Sequence, residues 1–143
     1  MEIKELGVKK MDQMNDVRWK QRFENFEKSF KLLEKYSNEP ISTELERAGI
    51  IHFFETTFEL AWKVIKDYLE AEGYAAKSQR ESIKQAFQVE IIEDGHLWMD
   101  ALSKRNLSAH TYDQELAENL VKEIQEKFQP LLRKLYEKFL KEI

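Results

Sequence analysis

A chain of 143 residues with formal net charge −4 is one domain's worth of sequence, and 42% hydrophobic with 35% charged residues excludes wholesale disorder. Four glycines and two prolines are too few turn formers for a barrel or sandwich of many short strands, which leaves an all-α expectation. The acidic balance excludes a general attractive field for DNA or RNA, and the absence of cysteine excludes disulfides and thiolate zinc. No apolar run nears the ~20 residues of a membrane span and no signal-peptide pattern opens the chain, so no membrane contact and a cytoplasmic location are expected.

Residues 1–15 have weak periodicity and read as a mobile N-terminal arm; residues 16–143 read as one helical-bundle domain. Trp19, Phe23, Phe26, Phe30 and Leu33 recur at steps of four and three, the seam of a first helix. Pro40 ends it. Thr43 and Glu46 have capping-box spacing and open a second helix with the seam Ile51, Phe54, Phe58, Ala61, Ile65 and Tyr68. Ile50, Phe53, Leu60, Trp62, Val64 and Leu69 widen that stripe until the helix needs more than one neighbour, which makes it central. Glu55, Glu59 and Lys63 interrupt the stripe as an i, i+4 ladder, read first as a solvated face and second as a face toward a partner or site.

Gly73 suits a left-handed cap ending the central helix. Ser78 and Glu81 have capping-box spacing and start a short helix whose inward residues are expected at Ile83, Ala86 and Phe87. Asp94-Gly95 breaks it, and Trp98, Ala101 and Leu102 line the next short helix, with Arg105 on the same side. Asp113 is a natural cap for a long last helix through Ala117, Val121, Ile124, Phe128, Leu131 and Leu135, kinked at Pro130, which should leave the Glu126 carbonyl without its partner. The expected fold is an up-and-down four-helix bundle with one layer made of two short helices.

Between those last two helices lies "RNLSAHTYD", Arg105 to Asp113. Histidine is available as a general base at neutral pH, and arginine's planar fork can hold two phosphate oxygens. Asn106 offers a further donor. On a continuing helix, five residues would rotate His110 about 140° from Arg105, so the chain must turn, or a second copy must supply one of the pair. A plain structural role competes: an arginine at a helix end answers the dipole, a loop histidine caps carbonyls, and a tyrosine packs before a helix. His52 and His96 lack partners, so no metal site and no cofactor are expected.

"DVRWKQRFENFEKSF", "FFETTFELAWKVIKDYLE", "SQRESIKQAFQVEIIEDGHLWMDAL" and "RNLSAHTYD" together resemble the nucleotidyltransferase substrate-binding proteins of the HEPN superfamily, over about residues 16–140. The family's motif of an arginine, four variable residues and a histidine, with a tyrosine two places on, falls on Arg105, His110 and Tyr112. The resemblance implies a HEPN-like helical bundle, commonly a homodimer, paired with a small nucleotidyltransferase encoded nearby. It also implies a toxin–antitoxin arrangement in which the HEPN protein is a metal-independent RNase and some partners attach AMP to the tyrosine, here Tyr112. Three functions follow: a nucleotide- or substrate-binding partner of a minimal nucleotidyltransferase, an active RNase using Arg105 and His110, or a non-catalytic helical dimer or adaptor.

Overall fold

Thr43 sets the frame of the molecule. Its hydroxyl accepts from the Glu46 N–H at 3.1 Å, and the Glu46 carboxylate accepts from the Thr43 N–H at 2.9 Å, a complete capping box. From there α2 runs Glu44–Ala71 and ends where Gly73 takes φ 91°. The computed structural model describes the backbone of residues 2–143 and the side chains of residue 14 and of residues 16–143. The backbone of α1 spans Glu2–Ser37; the mobility expected of the arm 1–15 lies outside what is described.

Arg18 pairs with Glu70, Arg22 with Asp67, Ser29 with Thr57, and Tyr36 stacks on Phe53, so α1 and α2 run antiparallel. The Ser29–Thr57 bond, 2.7 Å with Thr57 fully buried, fixes their register within an apolar seam. Trp19, Phe23, Phe26, Phe30 and Leu33 are all buried, as their spacing requires. On α2, Phe54, Phe58, Ala61 and Ile65 have no exposed surface, and the helix touches α1, α3, α4, α5 and α6. It is the central helix.

Ser78 caps α3 (Gln79–Gln88) by accepting from Glu81, but the Glu81 carboxylate reaches back to Lys77 rather than to Ser78. The inward arc of α3 is Ser82, Ile83 and Ala86; Phe87, about 40° beyond Ile83 at the edge of that arc, is 50% exposed, contrary to its expected place in the core. Its ring covers Gly95, where a Cβ would lie 3.1 Å away. Asp94 caps α4 (Gly95–Arg105), and α3 with α4 forms the expected layer of two short helices.

Asp113 caps α5 (Gln114–Glu123), its carboxylate accepting from the Leu116 N–H at 3.2 Å. The helix then widens into a π turn over Ile124–Phe128 and continues as α6 (Gln129–Glu142). The Gln129 N–H donates to the Ile124 carbonyl, five residues back. That wide turn is the local answer to Pro130, whose ring crowds the carbonyl four residues before it. α6 runs antiparallel to α1, with Gln129 on Glu34 and Tyr136 on Glu27. The bond to Glu27, 2.7 Å long, and then burial push the Tyr136 phenol up to about 12. The architecture is an all-α bundle whose four layers are α1, α2, α3 with α4, and the α5–α6 rod.

Candidate functional site

Helix α4 ends at Arg105 because the chain folds over it. The Asn106 N–H donates to Leu102, and a single 3₁₀ turn, Ser108–His110, then leads to the Asp113 cap. Of the two alternatives the sequence leaves open, the chain does turn between Arg105 and His110. It does not bring the two side chains into a bond with each other. They form two separate pairs.

Arg105, with 24% of its side chain exposed, points back to α2 and donates from Nη2 to Glu59 Oε2 at 2.7 Å. Glu59 also meets Lys63 Nζ at 3.7 Å and Gln79 Nε2 at 3.5 Å, so the carboxylate ties α2 to both short helices. Arg105 Nε is buried without a hydrogen-bond partner. Ser108, in the middle of the turn, is buried; its Oγ lies 2.9 Å from Glu55 Oε2 and 2.7 Å from the Arg105 carbonyl oxygen, and its one proton serves either acceptor. Two carboxylates from successive turns of α2 thus grip the end of α4 and the turn that follows.

The other pair faces water. His110 is exposed, Tyr112 is 79% exposed, and His110 Nδ1 lies 2.9 Å from the Tyr112 hydroxyl, with the rings at 71°. A large aromatic ring so exposed is not a packing residue, so the staple role open to Tyr112 is corrected. Asn106 is exposed, and its side chain makes no hydrogen bond among the described residues.

Glu55 and Glu59 are what residue-by-residue reading placed wrongly. The solvated stripe preferred for the ladder is corrected: both carboxylates are half-buried and bonded to the Arg105–His110 segment. The signal was available in the helix itself. Carboxylates set into an otherwise apolar stretch must find donors, and the nearest arginine on an inward-facing helix end is such a donor.

Beside the turn, α4 and α5 enclose an open groove of about 800 Å³. Its charged lining comprises three lysines (Lys104, Lys122, Lys127) against five carboxylates, from Asp100, Asp113, Glu115, Glu123 and Glu126. That balance does not favour a bound anion.

A family model described as nucleotidyltransferase substrate binding protein like matches residues 21–141. The chain belongs to that family. Over 75 residues it is 32% identical to the probable ribonuclease HepT of Haemophilus influenzae, a stretch covering 49% of this chain and 51% of that protein. The match thus spans about half the length of the curated relative. A solved structure from Thermus thermophilus superposes with a TM-score of 0.70 at 29% identity, covering 82% of this chain and 97% of that one. A second, from Haemophilus influenzae and described as the fold of a substrate binding domain of a nucleotidyltransferase, has a TM-score of 0.64 at 24% identity. It covers 88% of this chain and 98% of that one, and shows the shared fold. The substrate-binding-protein family and its helical fold are those the four quoted stretches resemble. No described helix is long and apolar enough to cross a membrane.

Proposed function

We propose that this family member acts in the cytoplasm as the HEPN partner of a minimal nucleotidyltransferase, the toxin half of a two-gene toxin–antitoxin pair, presenting Tyr112 for attachment of AMP. One observation carries the proposal: Tyr112 is 79% exposed on a turn just ahead of α5, with its hydroxyl bonded only to His110 among the described residues. A phenol held outward at a helix start is reachable by a second protein. The groove beside the turn, in which carboxylates outnumber lysines, favours a presented tyrosine over a tightly held free nucleotide.

The RNase reading rests on the same turn, and the resemblance to a probable ribonuclease favours it as the toxin's activity. Arg105 would hold phosphate and His110 would take the proton of the ribose 2′-hydroxyl. The Glu59 carboxylate already occupies one arm of Arg105, so an RNA phosphate would bind in competition with it. A second acid/base group for the leaving oxygen would come from the His110 of a second copy in a homodimer. The apolar seam at Phe54 and Phe58 does not support that dimer, because the chain's own helices cover both residues completely. The dimer rests on that chemistry and on the family resemblance.

The test of the proposal is co-expression with the nucleotidyltransferase encoded beside this chain, followed by intact mass measurement. Mass increases in AMP units that vanish in Tyr112→Phe are expected. No increase, or one that survives the substitution, overturns it. Labelled RNA with purified protein in a chelator, parent against His110→Ala, tests the RNase reading separately.

A further inference from the structure

The pair at the exposed end of the turn has a chemical consequence independent of RNA. A tyrosine hydroxyl at neutral pH is a poor nucleophile until a base takes its proton. His110 Nδ1 sits 2.9 Å from the Tyr112 oxygen, within the range for direct proton transfer, and only Thr111 separates Tyr112 from His110, the last residue of the 3₁₀ turn. We infer that His110 is the general base for the modification of Tyr112, so the chain supplies the catalyst for its own nucleotidylation. This rests on the proposed function for the identity of the electrophile, but not for the activation itself.

The step balances without further reagents beyond a nucleoside triphosphate brought by the partner. The Tyr112 oxygen attacks the α-phosphorus, the bond from that phosphorus to the bridging oxygen breaks, and pyrophosphate leaves with the electron pair. The phenolic proton passes to His110 Nδ1 and from there to water. For this the imidazole carries its resting proton on Nε2, leaving Nδ1 free to accept. The surroundings leave Nδ1 to the phenol. From α2, Glu55 is engaged by Ser108 and Glu59 by Arg105, while Asp113 caps α5 and Glu115, in the first turn of α5, makes no bond to the imidazole. The phenol is therefore the one group bonded to the imidazole among the described residues.

The arrangement also links silencing to activity. A Tyr112 ester no longer offers its proton, and its phosphate lies against the same imidazole that RNA cleavage would need. A chain that has lost His110 is then both inactive and slow to be modified.

Two experiments test the inference by different electrophiles. In the first, parent, His110→Ala and His110→Gln are incubated with the nucleotidyltransferase and ATP, and AMP on Tyr112 is followed by mass spectrometry across pH. Loss of the base should slow modification roughly 100-fold, remove the limb of the pH profile due to imidazole, and be partly reversed by added free imidazole. In the second, N-acetylimidazole acylates tyrosines with no partner protein present, and Tyr74, exposed and without a histidine bond, is the internal reference. Tyr112 should react faster in the parent than in either His110 variant, while Tyr74 reacts at the same rate in all three. If the nucleotidyltransferase modifies parent and variants equally fast, the inference falls and the partner proposal stands. If no AMP is added to the parent but acylation depends on His110, the partner proposal falls and the base remains. Equal acylation of Tyr112 in parent and variants at neutral pH, where the phenol carries its proton, overturns the inference outright.

Discussion

The α1–α2 pair and the segment from Arg105 to Asp113 are built by opposite means. Along α1 and α2 the contacts are aromatic and apolar, with Phe26, Phe54 and Phe58 wholly buried and one hydroxyl pair fixing register. Along the segment the contacts are hydrogen bonds and one ion pair, and its aromatic ring stands in solvent. Apolar burial supplies most of folding stability, so the first region holds the bundle together. The second is mounted on it through two carboxylates, an attachment that specifies position at little energetic gain. A site fixed in this way can be chemically altered, or esterified, without unfolding its support.

Truncation in the first region should show the largest effect. Phe58→Ala removes a fully buried ring packed on Trp98 and Phe54, and about 3–5 kcal/mol of unfolding free energy should go with it. Urea unfolding checks this; a loss below about 1 kcal/mol would mean that the centre of α2 repacks freely.

Breaking the attachment should cost less and act locally. Glu59→Gln keeps the shape of the side chain and leaves Arg105 without its countercharge; both groups are about a quarter exposed, so solvent screens the pair and about 1 kcal/mol is expected. Hydrogen exchange should quicken at residues 105–110 while the amides of α2 around Phe54 and Phe58 remain protected. Uniform quickening would show that the ion pair supports the whole bundle.

The smallest effect belongs to the cap that starts α2. The Thr43 backbone N–H, and then its hydroxyl, hold the Glu46 carboxyl below its ordinary value of 4.5. A lowered folded value means a contribution present above pH 4.5 and lost as pH falls through the lower, folded value. The stability difference between the parent and Glu46→Gln should therefore narrow on acidification over that range. A difference independent of pH would remove the carboxylate from the account of the cap.

How much of this the sequence carried differs between the regions for a physical reason. Helical spacing reports burial on long, strongly amphipathic helices, so the seams through Trp19–Leu33 and Ile51–Ile65, the Thr43 and Asp113 caps and the Gly73 terminator were legible. It reports less on a helix of ten residues, where Phe87 lies only about 40° beyond the buried Ile83 and is half exposed. Pro130 announced a disturbance, but the choice of a π turn depends on packing around Ile124 and Phe128. In the segment, Arg105, His110 and Tyr112 could be named as residues, and the turn between them foreseen. Their partners could not, because the pairing of Arg105 with Glu59, 46 positions away, is a tertiary fact.

The claim that the exposed pair serves chemistry and not support is tested most directly by the unfolding midpoint of a His110→Ala/Tyr112→Phe double variant. The pair buries little surface and bonds only within its own turn among the described residues, so the midpoint should stay within about 2 °C of the parent. A fall of roughly 6 °C or more, the scale of a lost structural contact of more than 1 kcal/mol, would contradict it and return His110 and Tyr112 to the fold.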